Sequence, residues 1–64
     1  MTVRDAYEDT LRFHSTIKFI GVFNPATEEV IPEFADEYLE TNADMEITDY
    51  QFSDQHECLI VFTE

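Results

Sequence analysis

Glu33, Glu37, Glu40 and Asp44 follow one another at intervals of four, three and four residues, the repeat of one side of a helix. Glu29 precedes them, Asp36 lies among them, and Glu46 and Asp49 follow. Ionised carboxylates only accept hydrogen bonds, so an unneutralised run of them attracts Arg and Lys as a row of phosphates does. On a strand, residues two apart lie ~6.8 Å from each other, comparable to the phosphate separation along one DNA strand. The spacing predicts a phosphate-like track over Glu29, Glu33, Glu37, Glu40, Asp44, Glu46 and Asp49, with Asp36 expected beside it as a further partner-binding carboxylate. Tyr38 and Tyr50, each beside carboxylates, are expected as aromatic anchors at its rim.

Other chemistry is poorly supplied. Cys58 is the single cysteine and Gly21 the single glycine, so neither a disulfide nor a glycine-rich phosphate loop can be built. Cys58 with His56 and His14 lacks the spacing of a nucleophile–base pair or a metal site. A small thiol on a core strand beside a loop histidine is the simpler account. Asp44, Glu46, Thr48 and Asp49 suggest calcium only loosely, without the glycine and terminal glutamate of an EF-hand loop. A chain of 64 residues also has little volume for a catalytic pocket. The expectation is a protein that is not an enzyme and uses no cofactor and no metal.

The charge is divided unevenly. Residues 28–64 hold twelve acids and no Lys or Arg, whereas Asp5, Glu8 and Asp9 balance Arg4, Arg12 and Lys18 in residues 1–27. The whole formal charge of −12 therefore falls on the C-terminal part. Solubility in a small domain needs a magnitude of only about 2–8, and like charges oppose the compact state. Direct binding to nucleic acid or to an anionic membrane is excluded by repulsion. A basic protein surface, above all one that holds nucleic acid, is the partner the sign selects. Adaptation to very high salt is an alternative source of acidity, although six Phe and five Ile make a heavier core than such chains usually carry.

A chain this short forms a single domain, 1–64, and buries only about 60% of its unfolded surface. With 44% hydrophobic residues and nine aromatics it is expected to fold rather than stay disordered. The lone thiol and the lack of an apolar leader point to a reducing cytoplasm. FIGVF (19–23) and CLIVF (58–62) are too short to cross a bilayer.

The elements that must carry the acids follow from periodicity. Thr2 and Asp5 form a capping-box start, and Val3, Ala6, Tyr7, Thr10 and Leu11 recur at helical spacing, which predicts a helix over 3–13. Residues 16–23 read as a strand, with Ile17, Phe19 and Phe23 on one face and Ile20 and Val22 on the other. An apolar second face is normally covered, here either by the helix or by a second copy of the chain. Asn24 to Thr27 is a turn, and 28–31 returns as a strand stopped by Pro32. Residues 33–40 form a short helical or irregular link, with Phe34, Tyr38 and Leu39 gathered on one side. Residues 46–52 and 57–63 form a second hairpin. The fold class is α+β, with one N-terminal helix on a small, mainly antiparallel sheet of about four strands made of two hairpins.

Taken with its opening TVRDAYEDTLRF and its FADEYLE link, the chain resembles small helix-then-strands reading frames of prophages. In size, charge and element order it is similar to the acidic inhibitors with which phages and mobile elements disarm host defences, such as anti-CRISPR proteins and uracil-DNA glycosylase inhibitors. The resemblance implies a DNA-mimicking inhibitor acting in the cytoplasm of an infected bacterial cell. Its partner would be a basic nucleic-acid-binding protein, in the best match a CRISPR nuclease, whose grooves read bases and phosphates with Arg. The rival expectation is a homo-oligomeric or partner-binding structural module, a homodimer in its simplest form, that works through the apolar strands.

Overall fold

The helix that opens the chain is closed at its start by its own side chains. In the computed structural model, which describes residues 1–14 and 16–63, the Thr2 hydroxyl accepts from the Asp5 N–H at 3.3 Å and Asp5 Oδ2 accepts from the Thr2 N–H at 3.0 Å. These two bonds satisfy donors that a helix start leaves without partners. They also hold the Asp5 carboxyl below the usual carboxylate range, the Thr2 backbone bond most of all. Helix α1 runs Val3–Leu11 and buries Val3, Ala6 and Thr10, the predicted stripe without its last turn. Two further first-turn donors, Val3 N–H and Arg4 N–H, bond the carbonyls of Met45 and Ala43, each at 3.0 Å.

Four strands follow: β1 (Phe19–Asn24), β2 (Glu29–Phe34), β3 (Asp49–Ser53) and β4 (Cys58–Phe62), with helix α2 (Ala35–Asn42) between the two hairpins. They pair in the order β2-β1-β4-β3. Both hairpins are antiparallel, and they join through a parallel β1–β4 pair at the centre. The central places go to FIGVF and CLIVF, the two runs that are apolar on both faces. Ile20, Leu59 and Val61 of the central strands pack with Val3 and Ala6 of α1 and Ala35 and Tyr38 of α2. Both helices therefore cover one face of the sheet.

Several expected boundaries shift for physical reasons. Ile17 precedes the strand and turns into the core beside Ile20, instead of sharing a face with Phe19. Pro32 does not stop β2, because β2 is an edge strand and needs no donor on its outer side. The 33–40 link becomes a helix of two turns that starts directly after β2, with the Ala35 N–H bonded to the Lys18 carbonyl at 2.9 Å. Residues 46 and 47 are held by the N-terminal segment instead: Glu46 bridges Thr2, the Ile47 N–H bonds the Met1 carbonyl at 2.8 Å, and only Thr48 reaches back to the Phe62 carbonyl of β4, its N–H at 2.8 Å. Strand β3 accordingly begins at Asp49 rather than at 46.

The other face of the sheet has no helix on it. Its rows read Phe34, Phe19, Cys58, Ser53, then Pro32, Gly21, Ile60, Gln51. Val30, Phe23, Phe62 and Asp49 form the third row. Gly21 lies at the middle of this face because a Cβ there would run into Val30 Cγ1 and sit 3.4 Å from the Ile31 carbonyl oxygen. Valine is stiff at χ1 and cannot swing aside freely. Gly21→Ala is therefore expected to cost about 1–3 kcal/mol in urea unfolding. Placed in a Val30→Ala background, the same change should cost much less, a coupling that a double-mutant cycle reads directly.

Candidate functional site

Helix α2 is where the carboxylates gather. Glu33 ends β2 one residue before its last position, Asp36, Glu37 and Glu40 lie on α2, and Asp44 follows it; all five are exposed. Four residues of helix advance ~6 Å along the axis, so Asp36, Glu40 and Asp44 repeat at roughly the interval of a phosphate backbone. Asp36 and Glu37 in the first turn are favoured by the positive end of the helix dipole. Like charges four apart cost a few tenths of a kcal/mol per pair, and no base stands in the last turn to offset them. What holds the helix is its inner side, where Ala35 and Tyr38 are buried.

Three of the four cations of the chain are committed elsewhere, and the fourth, Arg4 on α1, makes no ion pair among the described residues. Arg12 pairs with Asp9 at 3.8 Å, Lys18 with Glu57 at 3.5 Å, and the N-terminal ammonium with Glu46 at 3.2 Å. Among the described residues, Glu29, Glu33, Asp36, Glu37, Glu40 and Asp44 have no cation within ion-pair distance. The predicted track is thus shorter than expected. Glu46 is tied to the N-terminus. Asp49 lies on β3, the edge opposite β2, where its Oδ1 accepts from the Tyr50 N–H at 2.8 Å. Glu29 stays on the β2 side, four residues before Glu33 along the same strand.

Neither tyrosine stands free at a rim. Tyr38 is 4% exposed and its hydroxyl donates to Met45 Sδ at 3.8 Å. Burial, with the Glu33 charge second, raises its pKa. The ring fills the space between α2 and the sheet, so it anchors the helix and not a partner. Tyr50 is half-buried and its hydroxyl donates to Asp9 Oδ2, which ties β3 to α1. Phe34, expected on the inner side of the link with Tyr38, instead ends β2 on the uncovered face at 62% exposure.

The Tyr50 bond has a pH consequence. Acceptance by the Asp9 carboxylate raises the Tyr50 pKa, with desolvation adding to it. The folded state therefore holds the phenol proton more tightly than the unfolded chain does. Stability from this bond is complete below the ordinary tyrosine value of about 10 and is lost as pH rises through the higher folded value. Urea midpoints measured from neutral pH into the alkaline range should fall for the native chain, and Tyr50→Phe should flatten that fall while lowering the neutral-pH midpoint.

Cys58 and His56 line one depression on the bare sheet face, and His14 lies apart from them, so the three are not assembled together. Burial pushes the Cys58 thiol up, against a smaller opposing pull from the Gly21 backbone, which keeps it protonated and unreactive. His56 is exposed on the β3–β4 turn. His14 pairs with Asp54 at 3.1 Å and lies against Phe52 with ring centroids 4.3 Å apart. Phe52 faces the helices, whereas Cys58 is in the row of Phe19 on the bare face. Among the described residues no three His, Cys, Asp or Glu side chains converge as metal ligands.

Sequence reasoning saw two apolar faces on the central strands but not which one would stay open. The signal was present in the alternation Val30, Pro32, Phe34 on β2, which matches Phe19, Gly21, Phe23 across the hairpin. Fold and surface together define a small α+β domain with two helices on one face of a mixed four-stranded sheet. It carries an unneutralised acidic ridge on one side and a bare apolar sheet face on the other. No family model, curated protein or solved structure matches the chain. Among the described residues no helix is long and apolar enough to cross a membrane.

Proposed function

We propose that this chain is a non-enzymatic inhibitor that offers the carboxylates of α2 and its flanks, in place of phosphates, to the basic groove of a nucleic-acid enzyme. A CRISPR nuclease is the target that best suits it. The observation that supports this reading is the row Glu33, Asp36, Glu37, Glu40 and Asp44, exposed and without cationic partners among the described residues. A surface that only needed to be solvated would gain by interspersing bases, and here Arg12 and Lys18 pair with other acids while Arg4 lies on α1. Arg and Lys in a groove that reads phosphates and bases would meet these carboxylates in charge-assisted bonds.

The mode of action is competition. The acidic ridge steers the chain to the groove and occupies it, so nucleic acid is displaced and not cut. The test is inhibition of DNA cleavage by a guide-loaded CRISPR nuclease, with the native chain and with a Glu37→Lys, Glu40→Lys, Asp44→Lys variant. Inhibition by the native chain and loss in the variant is the expected pattern. Equal inhibition by both would remove the reading.

A further inference from the structure

The acidic reading makes no use of the bare sheet face. Phe34 is 62% exposed there, Pro32 is exposed, and Phe23, Val30, Ile60 and Phe62 are half-exposed. Contiguous apolar surface on this scale marks an interaction site in a small protein. We propose that a second copy of the same chain covers it, so that two molecules pack sheet on sheet.

Charge rules out a basic occupant. Among the described strand residues, Asp49 is the one charged side chain on this face, and it sits at a corner on the edge strand β3. A basic partner would have to strip water from its cations against phenylalanine rings, which is costly. An equally neutral copy meets no such cost. The helices lie on the opposite face of each sheet, so the α2 carboxylates of both molecules stay outside the contact.

Relief and size fit the same occupant. Two aromatic ridges, Phe19 with Phe34 (centroids 5.4 Å apart) and Phe23 with Phe62 (5.2 Å), flank the row that holds Gly21. Beside the Phe19 ridge is a trough of about 310 Å³ whose walls include Val30, Pro32, Cys58 and Ile60, with His56 of the β3–β4 turn at its end. A two-fold axis can lay a ridge of each copy over the trough of the other, with the sheets ~10 Å apart. The molecule measures 31 × 25 × 19 Å, the shortest extent being consistent with a two-layer thickness. Contact over most of the broad side buries on the order of 1,000 Å² in the pair, the lower bound for a specific interface. Pairing also gives a 64-residue chain a second core that a single copy of this size lacks.

The proposal stands apart from the inhibitor reading, and salt separates the two. Two copies of charge −12 repel, and salt screens that repulsion, so self-association should strengthen as salt rises while binding to a cationic groove weakens. Sedimentation velocity on the full chain, at about 0.1 M and 1 M salt, is expected to give twice the 7.5 kDa monomer mass, with tighter association at the higher salt. Pro32→Glu and Phe34→Glu should each weaken the dimer by about tenfold or more with an unchanged circular dichroism spectrum. Ile31→Glu is the control, since Ile31 adjoins Pro32 on the same strand, 69% exposed, on the opposite face, and it should leave the dimer intact. A monomer at every concentration up to about 1 mM, or equal disruption by Ile31→Glu, would overturn the proposal. Loss of dimer in Phe34→Glu with inhibition retained supports the pairing; loss of inhibition in the α2 charge variant leaves it untouched.

Discussion

Reversal of three charges along α2, with Glu37, Glu40 and Asp44 replaced together by Lys, is expected to weaken target binding by about a hundredfold, or ~2.8 kcal/mol. Each of the three is exposed and, among the described residues, has no internal cation, so no internal ion pair is lost. The loss arises at the partner, where three attractions become three repulsions. The helix itself should keep its stability, because Glu40→Lys faces Asp36 as an opposite charge four apart and a positive charge is placed near the C-terminal end, which offsets the loss of an acid from the first turn. A urea midpoint that holds or rises while inhibition disappears therefore separates a binding effect from an unfolding one. The association rate should carry most of the change and should lose much of its salt dependence.

Leu59→Ala is the change with the largest expected effect on the fold. Leu59 is fully buried on the central strand β4, opposite Ile20 on β1 and Phe52 on β3. Truncation removes its transfer energy and leaves a cavity between three strands that are hydrogen-bonded together and cannot collapse inward, so about 2–5 kcal/mol should be lost. A domain of this length is stable by only ~3–10 kcal/mol, so much of the variant should be unfolded at physiological temperature. Leu59→Met, which keeps the volume, should cost less than about 1.5 kcal/mol. Thermal unfolding followed by circular dichroism checks both, and equal midpoints for Leu59→Ala and the native chain would mean the core is not centred on β4.

The element order was legible because each element carries a strong local signal. Thr2 and Asp5 state the start of α1, Asn24 begins the first turn, and FIGVF and CLIVF are runs only a central strand can use. The errors fall where tertiary contacts decide. Nothing local says that β2 lies at an edge, so Pro32 looked like a stop; pairing on one side alone lets the strand continue to Phe34. Nothing local says that the N-terminal segment captures 43–47, so β3 was expected to begin too early. The acids of α2 follow from helical spacing, whereas the strand spacing that adds Asp49 to them says nothing of which strand lies where, and two strands intervene between its edge and β2. Tyr38 was misread for a related reason: beside carboxylates in sequence, it turns the other way in space, into the core. A residue's neighbours along the chain fix its charge environment only when the fold keeps them on one side.

Whether the acidic ridge takes the place of nucleic acid is most directly measured by displacement. A fluorescent DNA duplex bound to a guide-loaded CRISPR nuclease is titrated with the native chain at about 50 mM and about 200 mM salt. The account predicts that the chain and the duplex exclude each other, with the chain's affinity falling at least about tenfold between the two salt concentrations. Simultaneous binding of chain and duplex with no mutual effect, or a displacement indifferent to salt, would contradict it.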